Sequence, residues 1–120
     1  MNLPILDPQV LHQCTDGDLA LAQEIYVQFL ETSSEDAAHI RVGLQSNDLR
    51  AVFEAAHRLK GSSRTVGALA IGACAERLEE SAHADDLVRA KQYLPALIEA
   101  HTDLIAELTR LIQTQGSTGS

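Results

Sequence analysis

Apolar residues recur at helical spacing along almost the whole chain, and this constrains the fold before anything else does. Leu19, Ala22, Ile25, Tyr26, Phe29 and Leu30 follow the i, i+3, i+4, i+7 pattern of one helix face, and Ala37, Ile40 and Leu44 resume it. Toward the C-terminus Leu87, Ala90, Leu94, Leu97, Ile98, Leu104, Ile105, Leu108, Leu111 and Ile112 do the same. The material of the core is chiefly Ala and Leu: 45% of residues are hydrophobic, yet only 3% are aromatic and there is no Trp. Such side chains favour close helix–helix packing over a sheet. The expectation is an all-α fold. A chain of 120 residues is one domain with a modest core that needs no staples.

Punctuation divides the pattern into five helices. Residues 1–6 read as an extended lead. Asp7-Pro8 is an N-cap followed by Pro at the first helical position, so a short helix starts there, with Val10, Leu11 and Cys14 on its apolar side. Thr15-Asp16-Gly17-Asp18 ends it. A second helix spans about 19–45, and its Thr32-Ser33-Ser34 cluster is a candidate kink or interruption. Ser46-Asn47-Asp48 turns the chain into a third helix, about 48–65, which Gly67 ends. A fourth starts near Ala68, with Leu69, Ile71, Cys74, Ala75 and Leu78 inward and Arg77, Glu79 and Glu80 facing water. Ala84-Asp85-Asp86 leads to a fifth, about 86–113, in which Pro95 should kink or split the pattern. The domain is placed at 1–113, with a Gly/Ser/Thr-rich flexible tail at 114–120.

One helical face carries the chemistry. At 100° per residue, His57, Lys60, Gly61 and Arg64 line one side of the third helix, and Phe53 and Arg50 extend it backwards. Val52, Ala55, Leu59 and Val66 form the opposite, core-facing stripe. An exposed neutral imidazole is a good nucleophile near neutral pH. Lys60, one turn on, would disfavour imidazolium and would stabilise negative charge arriving on the ring; Arg64 is a candidate to add to that field. Gly61 leaves bare backbone where a partner can approach. Gly-Ser-Ser in mid-helix weakens the helix at three successive positions, which a merely solvated face does not require.

The run Ala56-His57-Arg58-Leu59-Lys60-Gly61-Ser62-Ser63, followed by Val66-Gly67-Ala68, Leu69, Cys74 and Leu78-Glu79, resembles the histidine-containing phosphotransfer (HPt) domain family. The signature covers roughly residues 52–80. The resemblance implies an antiparallel four-helix bundle, here with a short additional N-terminal helix. It implies that His57 is the phosphoacceptor, through Nε2, that Lys60 is the supporting cation and that Gly61 gives clearance. Family members relay phosphoryl groups between aspartates of receiver domains and have no kinase activity of their own. The expected partners are therefore response-regulator receivers and a hybrid sensor kinase. No cofactor is expected in this chain, since the receiver supplies Mg²⁺. Phe53, Arg50 and Arg58 are candidates for receiver docking. A cytoplasmic, bacterial, monomeric carrier is expected.

Charge agrees with those partners. The formal net charge is −8, which argues against nucleic acid and anionic membrane surfaces. Residues 47–66 nonetheless hold four basic side chains against two acidic ones, so a basic patch on an acidic body would suit a receiver's carboxylate cluster. Cys14 and Cys74 are far apart and read as small buried apolar residues, in keeping with a reducing compartment. No secretory signal pattern and no run near the ~20 apolar residues of a membrane span is present.

Two readings of other classes remain. Glu54-x-x-His57 and Glu80-x-x-His83 repeat the Glu-x-x-His motif of di-iron bundles, with Glu24 and Glu107 available for the other ligand positions. Lys60 beside such a site would repel metal, His83 lies at a helix end, and Glu54 and His57 point away from the core. A sensor-kinase dimerisation domain fits less well, because Arg58 follows His57 where that family's histidine box has an acid. A purely structural helical adaptor is the plainest alternative. His12, His39, His83 and His101 read as surface residues. Ser62 is placed on the core side, where its hydroxyl can bond back to a carbonyl.

Overall fold

Aspartates mark where four of the five helices begin. The computed structural model describes residues 3–117 and places α1 at Pro8–Thr15, α2 at Leu19–Gln45, α3 at Leu49–Val66, α4 at Leu69–His83 and α5 at Leu87–Ser117. Asp7, Asp18 and Asp48 accept backbone N–H bonds from Gln9, Leu21 and Ala51, each at 3.1 Å. Asp86 accepts from the Arg89 N–H at 3.0 Å. Each bond satisfies a donor that the helix itself leaves unpaired, worth about 1 kcal/mol. There is no strand among the described residues.

Turns of two or three residues join α2 to α3, α3 to α4 and α4 to α5, so neighbours run antiparallel. α2 packs on α3, α3 on α4, α4 on α5, and α5 returns to α2, closing a four-helix bundle; α1 lies against α2 and α3. The core is continuous through it. Ile40 and Leu44 of α2, Val52, Ala55, Ala56 and Leu59 of α3, Ile71, Ala75 and Leu78 of α4, and Leu97, Leu104 and Leu108 of α5 are all buried. Among the described residues no helix is long and apolar enough to cross a membrane.

Two glycines permit close approaches. Gly67 caps α3 with φ +87°, and a Cβ there would lie 2.4 Å from the Asp7 carbonyl oxygen. The Asp7 N–H donates to the Gly67 carbonyl at 2.8 Å, and the Ala70 N–H to the Pro4 carbonyl at 3.1 Å. The N-terminal lead is thereby fastened to the corner that joins α3 to α4. A Cβ on Gly43 would meet Val52 Cγ2 at 2.8 Å, so α2 and α3 come together where there is no side chain to separate them.

Several expectations need correction. α2 runs unbroken through Thr32-Ser33-Ser34, because these hydroxyls bond back to the carbonyls of Phe29 and Leu30 within the helix. α5 is one helix across Pro95, not two. Pro95 and Lys91 are both exposed, so water can satisfy the carbonyl that Pro95 leaves unbonded. The backbone helix continues through 114–117, the start of the stretch expected as a tail; 118–120 lie outside the described residues. Cys14 is exposed, since Leu11 and Thr15 take the inward side of α1, while Cys74 is half-buried against the core; both thiols are free. His101 is half-buried, its Nε2 lies 3.1 Å from the buried Ser33 hydroxyl, and burial holds its pKa below the ordinary value.

Candidate functional site

α3 presents the face its sequence pattern requires. Val52, Ala55, Ala56, Leu59, Ser63 and Val66 are buried, and this turns His57, Gly61 and Arg64 outward. The His57 side chain is 66% exposed. Apart from its chain neighbours and the nearby helix backbone, no atom of the described residues lies within 4 Å of the position a Cβ of Gly61 would take, so the surface one turn beyond the imidazole is open. Ser63, not Ser62, is the inward hydroxyl of the pair. Ser63 is fully buried, and its Oγ has no hydrogen-bond partner among the described residues; Ser62 is half-buried and bonds back to the Leu59 carbonyl at 3.3 Å.

The residue that sequence reasoning placed in water is at the centre of the site. Glu79 of α4 reaches across to α3, with its side chain only 13% exposed. Its Oε2 lies 2.5 Å from His57 Nδ1, and its Oε1 lies 2.5 Å from Lys60 Nζ. One carboxylate thus bridges the imidazole and the ammonium. Burial alone would raise the Glu79 pKa, but the hydrogen bonds from Lys60 and His57 outweigh it and hold the carboxyl below the ordinary glutamate range. Glu79 is therefore ionised at neutral pH and accepts only. Nδ1 must carry the proton, and a neutral His57 then keeps its lone pair on Nε2, the outer nitrogen. Lys60 is only 20% exposed, so it is no free cation beside the ring; its charge is matched by Glu79. A sequence signal for Glu79 existed: Glu76, Glu79 and His83 share a helix face that borders the Ile71, Ala75, Leu78 stripe.

The basic patch is compensated in place. Arg50 pairs with Glu54 at 3.4 Å, Arg64 with Glu76 at 3.0 Å, and Arg58 with the buried Asp36 of α2 at 3.2 Å. Arg58 therefore ties α3 to α2 as well as meeting solvent. Phe53 is half-buried, packs against the core and stacks on His57, with ring centroids 6.2 Å apart. Glu54 is committed to Arg50 and His57 to Glu79, and no group of three or more potential metal ligands occurs among the described residues. The di-iron arrangement is not assembled.

The fold and the site define a class: a helical bundle that carries on its surface an outward imidazole held at Nδ1 by a carboxylate. The family comparison agrees. The model of the Hpt domain matches residues 24–114, and the chain belongs to the Hpt domain family. Its fold is similar to that of the crystal structure of histidine-containing phosphotransfer protein B from Pseudomonas aeruginosa PAO1. The TM-score is 0.86 at 25% sequence identity, over 94% of this chain and 98% of that one. No curated protein matches the chain.

Proposed function

We propose that this chain is a phosphoryl carrier in a multistep phosphorelay, taking the group from a receiver-domain aspartate onto His57 and passing it to a second receiver. The observation that carries this reading is the bond from His57 Nδ1 to Glu79, which leaves the Nε2 lone pair pointing out of the protein. Nε2 attacks phosphorus in line, the N–P bond forms, the acyl phosphate P–O bond breaks, and the aspartate leaves as carboxylate. The imidazole becomes cationic as it takes the phosphoryl group. The proton stays on Nδ1, and Glu79 stabilises the positive charge where it develops. Lys60 keeps Glu79 ionised and lies one turn from the incoming phosphoryl oxygens; Arg64 lies a turn further on.

An exposed histidine on a surface has no means of activating a phosphodonor by itself. The receiver brings the metal and most of the transition-state stabilisation, and this chain brings the nucleophile and a docking surface. Gly61 admits the receiver's active-site loop, and Phe53, Arg50 and Arg58 flank it. A hybrid sensor kinase supplies the first phosphoryl group. The carrier works in the cytoplasm, as a monomer, and is not itself an enzyme.

The test is transfer from receivers charged with a small phosphodonor, read by intact mass on wild type and His57→Gln. An acid-labile phosphoryl adduct on wild type alone is the expected result. Adduct on both proteins would move the acceptor elsewhere, and no adduct with any receiver would return the reading to a structural adaptor.

A further inference from the structure

One hydrogen bond fixes one atom of a ring. With its side chain 66% exposed, the His57 imidazole can still shift through its two side-chain torsions as the Glu79 carboxylate moves with it, carrying Nε2 along. A second contact limits that motion. Phe53, one turn back on α3, lies 11° from parallel to the His57 ring. Phe53 in turn meets His83, the last residue of α4, at 5.9 Å between centroids and 37° between planes. His83 is exposed and makes no hydrogen bond or ion pair among the described residues, so the Phe53 ring is its one specific neighbour. Offset and tilted ring pairs at these separations are attractive. α4 thus reaches the imidazole twice, through Glu79 at Nδ1 and through His83 by way of Phe53.

We propose that His83, acting through Phe53, sets the plane of the His57 imidazole and so aims Nε2 at the incoming phosphorus. His83 is a positioning residue in this account and touches neither reactant. The inference rests on the phosphotransfer reading. It deepens that reading by adding a ring contact from α4 to the carboxylate contact from the same helix. A displacement of about 1 Å in a reacting atom is enough to slow a transfer measurably.

The experiment is single-turnover transfer from a phosphorylated receiver, with the rate followed against receiver concentration for wild type, His83→Ala and His83→Phe. Melting temperatures confirm that the variants fold, as expected at an exposed helix end. For His83→Ala the limiting rate should fall about three- to tenfold with the half-saturating receiver concentration unchanged. His83→Phe, which keeps a ring without the imidazole nitrogens, should restore it. An unchanged limiting rate would overturn the proposal. So would a change confined to half-saturation, which makes His83 a docking contact, or a failure of Phe to rescue. A second readout is independent of transfer: nuclear Overhauser contacts between the Phe53 and His57 rings should weaken in His83→Ala and return in His83→Phe. If wild type accepts no phosphoryl group, the carrier reading and the aiming role fail with it, and the ring contacts alone still decide whether His83 sets the imidazole plane.

Discussion

Glu79 Oε2 lies 2.5 Å from His57 Nδ1, and the two residues are 22 positions apart on different helices. The bond makes the tautomer of the His57 imidazole a property of the α3–α4 interface. A shift of α4 against α3 large enough to break this bond would release the hold on the proton at Nδ1.

Glu79→Ala should therefore slow phosphoryl transfer by roughly ten- to a hundredfold, the range expected for loss of a charge-assisted hydrogen bond. It also leaves the largely buried Lys60 ammonium unpaired, so a loss of roughly 1–3 kcal/mol in stability should accompany it. Glu79→Gln keeps an acceptor at Nδ1 without the charge and should fall between. Transfer kinetics and denaturant melts report the two effects separately. Wild-type kinetics in Glu79→Ala would remove Glu79 from the mechanism.

Acid should act on the same carboxylate. The Glu79 pKa is lower in the folded chain than in the unfolded one, because hydrogen bonds from Lys60 and His57 outweigh the upward push of burial. The unfolded chain then binds the proton more readily. The group's stabilising contribution is complete above the unfolded glutamate value of about 4.3 and is lost as pH falls toward the folded value. Between about pH 4.5 and pH 3 the melting temperature of wild type should drop more steeply than that of Glu79→Gln. His101, whose burial lowers its pKa, costs stability from about pH 6.5 downward in both proteins and cancels from the comparison. Parallel curves would refute the assignment.

Much of this was legible in the sequence, and the failures share one physical cause. Leu19 and Gln45 bound α2 in the structure as their caps and spacing require, and His57 faces outward because Val52, Ala55 and Leu59 face in. Each of these is a property of a single helix. The sequence showed Glu79 on a face bordering the core but not its contact with His57, because one step of 100° separates the buried Leu78 from a position that is wet or half-covered depending on how α4 is rolled against α3. The charge of the His57 face was misjudged for the same reason. Counting along α3 finds an excess of cations, but Glu76, Glu79 and Asp36 arrive from two other helices and compensate it. Pro95 looked like a break because periodicity cannot show that both ends of the missing bond are exposed.

Compensation has a measurable consequence. Arg50, Arg58, Lys60 and Arg64 each already have a carboxylate within 3.4 Å, so a docking receiver meets little net field. Affinity for a cognate receiver should change by less than about threefold between about 0.05 and 0.5 M salt, measured by calorimetry. A strong salt dependence would mean that these pairs open on docking and that the arginines transfer to the partner's carboxylates.

Gly61 separates stability from function. It sits in mid-helix, where glycine costs about 1 kcal/mol relative to alanine, and no neighbouring atom lies within 4 Å of where its Cβ would be. Among the described residues neither a positive φ nor a packing contact requires it. On the proposed reading, the bare backbone serves a partner that approaches the surface. Gly61→Ala should raise stability by about 1 kcal/mol with transfer little changed, because a methyl group adds little height. Gly61→Gln should also be more stable than wild type, yet bind a cognate receiver at least about tenfold more weakly, as expected when a side chain is forced into a closely packed contact. Denaturant melts and receiver titrations of the same preparations give both quantities. Undiminished receiver binding by Gly61→Gln would show that the partner does not approach from this side, and the docking surface would then have to lie toward Phe53 alone.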